Sequence, residues 1–191
     1  MTHPIGRLAH RRGGFPFFLA AGLTAAALAT ALGVGNHADA QELVGGKVKT
    51  KFDGSTLIVQ GSSGNDAITL RLKAGDPNKL VVEVPSNPAS TQEFNRNSFD
   101  AVLVQGGAGD DTIKVDETNG VFSDTESLSF EGGAGNDTLL GGTGGETLNG
   151  GQGDDFVYGF GGSDRIVWNA TDGNDFIDGG DGADTVEANG N

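Results

Sequence analysis

The 191-residue chain has no cysteine, and its three histidines, His3, His10 and His37, all fall in the first forty residues. Beyond residue 40 there is neither thiol nor imidazole, which excludes Ser–His and Cys–His nucleophilic schemes and the usual zinc ligand sets there. It also excludes a disulfide framework. Basic residues are scarce, 12 Lys and Arg against 26 Asp and Glu, and tyrosine, tryptophan and methionine occur once each. Residues 1–40 hold 3 of the basic residues and 1 of the acids, leaving 9 against 25 and a net charge of −16 for residues 41–191. Nucleic acid and anionic membrane surfaces are disfavoured partners for such a chain, and a multivalent cation is favoured.

The amino terminus carries Arg7, Arg11 and Arg12, then an apolar stretch at 17–32, then Ala38, Asp39 and Ala40. That order is the order of an export signal with a small-residue cleavage site, so residues 1–40 are expected to be removed after Ala40 and the rest secreted, with no stable membrane insertion afterwards. An uncleaved anchor is the rival reading, because the apolar stretch approaches spanning length. Arg11-Arg12 suggests a twin-arginine route, although Phe15 stands one residue later than that signal usually wants.

What the chain has in excess is glycine, 34 residues, and it is placed periodically. Four nine-residue units run without a gap from Gly132 to Val167: GGAGNDTLL, GGTGGETLN, GGQGDDFVY and GFGGSDRIV. After Trp168 and Asn169 the frame resumes with ATDGNDFID at 170–178 and GGDGADTVE at 179–187, and single copies stand upstream at 61–69 and 106–114. The sixth position of the eight units reads Asp66, Asp111, Asp137, Glu146, Asp155, Asp164, Asp175 and Asp184. The eighth reads Ile68, Ile113, Leu139, Leu148, Val157, Ile166, Ile177 and Val186. A glycine-rich acidic turn thus alternates with a short strand centred on an aliphatic, a period that builds a stack of strands and turns.

These units resemble the RTX, or hemolysin-type, calcium-binding repeat, G-G-x-G-x-D-x-U-x. The resemblance implies a parallel β-roll for the last third of the chain and several bound Ca2+ ions. It also implies that two units make one coil, so that loops two units apart share an ion. Asp137 is then paired with Asp155 and Glu146 with Asp164, eighteen residues apart, and the insertion at 168–169 stretches Asp155 to Asp175 and Asp164 to Asp184 to twenty. Glu146 departs from the family's Asp.

The residues themselves suit calcium, a hard cation that takes six to eight oxygens and accepts backbone carbonyls as readily as carboxylates. Gly132, Gly135, Gly150 and Gly153 let their loops turn carbonyls toward one point, since glycine reaches positive φ without steric cost. Asp after Gly also favours plain turns, and for the isolated copies ending in Asp66 and Asp111 that reading stands beside the calcium one. Without metal, stacked acidic loops repel and glycine-rich backbone loses much entropy on ordering, so this half is expected to depend on calcium for its shape.

Three segments align as strand, loop, strand, at 56–69, 101–114 and 127–140, with Leu57/Val59, Val102/Val104 and Leu128/Phe130 on one alternating face. They predict an all-β chain, a right-handed parallel β-solenoid that is irregular over 41–131 and a regular roll over 132–191. A separate β-sandwich before the roll is the alternative. Segments 68–72 and 80–84 flank a hairpin or long turn, and 85–97 reads as a loop from its Ser, Asn and Pro content. The function expected is a secreted calcium-binding protein and not an enzyme. A calcium-dependent polysaccharide-binding or cell-surface adhesive module is the alternative, using Tyr158, Phe160 and Trp168; the tyrosine and tryptophan also suit a wedge covering the frame slip. A polysaccharide lyase or epimerase would need a basic residue at its centre, and candidates are few: Arg71, Arg96, Lys114 and Arg165.

Overall fold

The computed structural model describes residues 48–190; the export signal expected at 1–40 lies outside the described residues. The described chain is all-β apart from two single turns of 3-10 helix, Pro88–Ser90 and Arg96–Ser98. One seven-stranded sheet is built from β1 (Lys49–Asp53), β2 (Thr56–Gln60), β6 (Ala101–Ala108), β8 (Ser127–Ala134), β10 (Glu146–Gln152), β13 (Arg165–Asn169) and β16 (Thr185–Asn189) in that spatial order. The second contains β14 (Phe176–Asp178), β11 (Phe156–Tyr158), β9 (Thr138–Leu140), β7 (Thr112–Asp116), β3 (Ala67–Lys73), β4 (Asp76–Glu83) and β5 (Gln92–Asn95). Two-residue strands β12 (Gly161–Gly162) and β15 (Asp181–Gly182) pair with each other.

The repeat explains this order. Each glycine-rich loop carries the chain from one sheet to the other, and the next loop returns it beside its predecessor, in parallel register. The three aligned segments behave as one series: β2 pairs with β6 and β6 with β8, both parallel, Val59 opposite Val104 and Val104 opposite Phe130. Alternation within each strand then sends every second side chain between the sheets. Leu57, Val59, Val102, Val104, Leu128 and Phe130 are at most 1% exposed, and the eighth-position residues from Ile68 to Ile166 at most 2%.

The sheets are mixed, however, which corrects the expectation of parallel pairing throughout. β1 runs antiparallel to β2, and β4 and β5 extend the second sheet antiparallel to β3. The hairpin expected between 68–72 and 80–84 is therefore present as β3 and β4, turning at Gly75 with φ 78°. The loop expected at 85–97 is replaced in part by β5. Its Phe94 ring meets Phe52 edge-on at 5.9 Å, an apolar attachment that a tally of Ser, Asn and Pro does not register.

The insertion at 168–169 lengthens a strand instead of breaking the stack. β13 reaches Asn169 and stays in register with β16, Trp168 opposite Ala188 and Asn169 opposite Asn189. The extra length ends in a turn in which the Asn169 backbone N–H and side-chain amide both donate to the Asp172 carboxylate, at 3.2 and 2.6 Å.

Candidate metal centre

The crossings form two edges. Loops ending in Asp66, Asp111, Asp137, Asp155 and Asp175 lead from the first sheet to the second, and loops ending in Glu146, Asp164 and Asp184 lead back. On the first edge the backbone N–H of each sixth-position residue donates to Oδ1 of its counterpart in the next loop. The distances are 2.7 Å from Asp66 to Asp111, 2.7 Å from Asp111 to Asp137, 2.8 Å from Asp137 to Asp155 and 3.0 Å from Asp155 to Asp175. On the second edge Glu146 donates to Asp164 at 2.8 Å and Asp164 to Asp184 at 3.0 Å. All four pairings expected at spacings of eighteen and twenty are thus brought together, and Asp66 and Asp111 join the same column.

One oxygen of each carboxylate is fixed by this ladder. The other is the unusual one: Oδ2 of Asp111, Asp137, Asp155 and Asp164, and Oε1 of Glu146, are buried and have no hydrogen-bond partner. An orphaned buried charged oxygen is costly, by more than the 1–3 kcal/mol of a neutral group. Burial foremost, with nearby carboxylates adding to it, pushes the pKa of Asp111, Asp137 and Asp155 up to about 6 and that of Glu146 up to about 8. Asp164 moves in the same direction, again chiefly through burial. Each of these groups is at most 3% exposed. Asp175 and Asp184, in the last coil, are only half-buried.

The expected glycines have two distinct duties. Gly132 and Gly150 open their loops, and a Cβ on either would overlap the Oδ2 of its own loop's aspartate, Asp137 or Asp155. Gly135 and Gly153 sit at φ 128° and 135°, and a Cβ there would overlap the carbonyl oxygen of Gly109 or Gly135 in the preceding loop. Glycine is therefore required by conformation and by space together. Among the described residues Phe160 is the non-glycine with positive φ, at 72°, in the place where a loop glycine was expected.

Two features of the edges escaped sequence reasoning. A second ladder on the first edge uses the fifth position and runs the opposite way. The backbone N–H groups of Asp110, Asn136, Asp154 and Asn174 donate to Oδ1 of Asn65, Asp110, Asn136 and Asp154 at 2.9–3.1 Å. Its signal is visible in hindsight: the fifth position is always Asn or Asp on this edge, whereas the other edge has Gly145, Ser163 and Ala183. The second feature is Glu117 with Ser123, outside any nonapeptide frame, which accept hydrogen bonds from the loop 141–146.

Among the described residues no three acidic side chains converge on one point. A cation between two loops would take the balance of its ligands from backbone carbonyls, a donor set of oxygens alone. Ca2+ fits this set; the softer transition metals, which favour imidazole or thiolate, do not.

The comparisons with known proteins agree with the geometry. A family model described as the RTX calcium-binding nonapeptide repeat matches four times, at residues 102–119, 129–144, 140–167 and 169–191. No curated protein and no solved structure matches. From residue 102 onward the chain carries RTX calcium-binding repeats, and the upstream loop at 61–66 lies outside the matched residues while joining the same carboxylate column.

Proposed function

We propose that this RTX-repeat chain is a secreted calcium-binding protein whose stacked loops hold several Ca2+ ions and are ordered by them. Under this reading residues 41–131 are the irregular start of a right-handed parallel β-solenoid, and 132–191 is a regular β-roll. Residues 1–40 are the signal cleaved after Ala40. The ions lie between successive loops, with Asp137 and Asp155, Glu146 and Asp164, Asp155 and Asp175, and Asp164 and Asp184 as paired carboxylates. Asp66 and Asp111 extend the first edge, and the carbonyl-bearing loops of Gly132, Gly135, Gly150 and Gly153 complete the donors.

The observation that supports this most is the run of buried carboxylate oxygens without a donor. A proton or a cation must offset them; with pKa values near 6, Asp111, Asp137 and Asp155 lose their protons at neutral pH, whereas Glu146, near 8, keeps its proton until a cation displaces it. Calcium supplies the missing charge and coordinates the free oxygen while the ladder keeps the other. At a free concentration ten times its dissociation constant, each ion stabilises the ordered state by about 1.4 kcal/mol. RTX repeats act as structural calcium-binding elements, and the reading is of a binding module and not a catalyst.

Far-ultraviolet circular dichroism during calcium titration, with magnesium as control, tests the reading. Strand signal should rise with calcium and stay flat with magnesium. An unchanged spectrum in calcium would sink it.

One observation favours a second role on the same scaffold. Phe156, Phe160 and Phe176 are 40–53% exposed and cluster with Tyr158, Phe156 and Phe176 stacking at 4.7 Å. Trp168, which the sequence grouped with them, is on the opposite sheet. Such an aromatic patch suits an adhesive or polysaccharide-binding surface, and glycan-array binding that requires calcium and is lost in Phe176→Ser would support it.

A further inference from the structure

Loop 61–66 opens the column on the first edge, and it satisfies its carboxylate differently from the loops that follow. Asp66 is 4% exposed, close to the 1–3% of Asp111, Asp137 and Asp155. Its Oδ2, however, is held twice: the Ser62 backbone N–H donates to it at 2.6 Å and the Ser62 hydroxyl at 2.8 Å. In the next three loops the same oxygen has no donor. Two charge-assisted hydrogen bonds within one loop stabilise a buried carboxylate without a cation.

The residue that makes the difference stands at the second position of the loop. Loops 106–111, 132–137 and 150–155 have Gly107, Gly133 and Gly151 there, at φ 114°, 119° and 103°. A Cβ on these glycines would overlap the carbonyl oxygen of the second-position residue one loop earlier, Ser62, Gly107 and Gly133 respectively. Side chains are therefore excluded at all three, and no hydroxyl can be delivered to Oδ2 from there. Loop 61–66 has no repeat loop before it, and Ser62 keeps an ordinary negative φ. A side chain is admitted, and the one present is a donor. Its oxygen also accepts the Gly64 N–H at 3.3 Å, which ties the loop across its middle.

The loop fixed in this way is joined to the next one along its whole length. The Gly61 N–H donates to the Gln105 carbonyl at 2.7 Å and the Asp66 N–H to Asp111 Oδ1 at 2.7 Å. In return the Ser62 carbonyl accepts the Ala108 N–H at 3.2 Å, and Asn65 Oδ1 accepts the Asp110 N–H at 3.1 Å. The strands on either side anchor it, with Leu57, Val59 and Ile68 at most 1% exposed. Loop 106–111 thus stacks on a set of donors and acceptors that its predecessor holds in place with its own hydrogen bonds.

We propose that the Ser62 hydroxyl does for Asp66 what a cation does for the later aspartates, so that loop 61–66 is a metal-free rung from which the calcium-dependent column starts. The inference rests on the calcium reading above and sharpens it: Asp66 extends the first edge through the ladder alone, and ion ligation on that edge begins at Asp111. Ser62 is then the residue that decides whether this loop takes an ion.

Calorimetric titration of the full chain with calcium chloride at neutral pH tests it, with strand signal at saturating calcium as the folding control. Asp66→Asn keeps an acceptor oxygen for Ser62, and it should bind as many ions as the parent with unchanged affinities. Ser62→Gly, which gives this loop the second-position glycine of its neighbours, should bind one ion more. Adding Asp66→Asn to Ser62→Gly should return the count to that of the parent. Loss of an ion in Asp66→Asn alone would overturn the inference and leave the calcium reading standing, as would a folded Ser62→Gly chain that takes up no extra ion. Should Ser62→Gly fall short of the parent's strand signal, the ion count of Asp66→Asn decides by itself. If the parent takes up no calcium, the calcium reading falls and this inference with it.

Discussion

Residues 48–131 and residues 132–190 share the same sheets but are held by different forces. In the first region β2, β3, β4, β6 and β8 each bury two or three core residues, the rings of Phe52, Phe94 and Phe99 are in contact, and ion pairs run from Arg71 to Glu83, Lys73 and Lys79 to Glu93 and Arg96 to Glu126. The Arg96 guanidinium alone reaches both Glu126 oxygens, Thr125 and the Pro77 carbonyl. The second region commits one buried aliphatic side chain to each of β9, β10, β11 and β13 and sets orphaned carboxylates beside them; among the described residues its one ion pair is the exposed Arg165–Glu187. Apolar burial dominates the first region, where Asp111 alone has an orphaned carboxylate oxygen, whereas Asp137, Glu146, Asp155 and Asp164 concentrate such oxygens in the second.

Substitutions in the two cores should separate these forces most strongly. Leu148 is fully buried and is the sole apolar core side chain of β10, so Leu148→Ala should cost about 2–5 kcal/mol in calcium and lower the thermal midpoint of the second region. Val59→Ala, in a strand that also buries Leu57, should cost less and lower stability equally with and without calcium. Thermal unfolding with and without chelator reads both; equal calcium dependence of the two variants would break the contrast.

Asp155→Asn should act with opposite signs in the two conditions. It removes a buried negative charge whose second oxygen is unpaired, and so should weaken calcium uptake about tenfold, roughly 1.4 kcal/mol, while raising stability in chelator. Loss of stability in both conditions would mean that the carboxylate serves only the ladder.

The pH dependence follows from the raised carboxylates. Asp111, Asp137 and Asp155 have folded pKa values of about 6 against an unfolded value of about 3.9, so the folded state binds more protons in that window. Their contribution to calcium-free stability is complete below the unfolded value and is lost as pH rises through about 6. Strand signal in chelator should therefore be larger at pH 5 than at pH 7.5, and the calcium midpoint should move to higher concentration at pH 5 because protons compete. A chelator spectrum indifferent to pH would contradict the burial of these groups. The smallest effect is expected at Phe160, whose positive φ is strained for a bulky side chain; Phe160→Gly should gain about 1 kcal/mol or less in thermal unfolding.

Legibility in the sequence divides along the same line. The periodic sixth and eighth positions disclosed the carboxylate column and the core, because a strict nine-residue frame converts directly into stacked loops, and even the twenty-residue spacing across Trp168 and Asn169 was readable. The fifth-position ladder was not, since Asn and Asp alternate there without a fixed identity and the pattern exists only on one edge. Glu117 and Ser123 could not be read either. They lie in one irregular connection, and the contacts that tie them to loop 141–146 join residues 20 to 26 positions apart. β5 was hidden because its register depends on Phe94 meeting Phe52, a contact between distant segments.

Amide hydrogen exchange, followed segment by segment with and without calcium, addresses the dependence of one region on metal most directly. Protection at residues 132–190 should appear only with calcium, with residues 56–60 and 101–105 protected in both conditions. Equal protection of the two regions in chelator at neutral pH would contradict the account, because the unpaired carboxylates would then be tolerated without an ion.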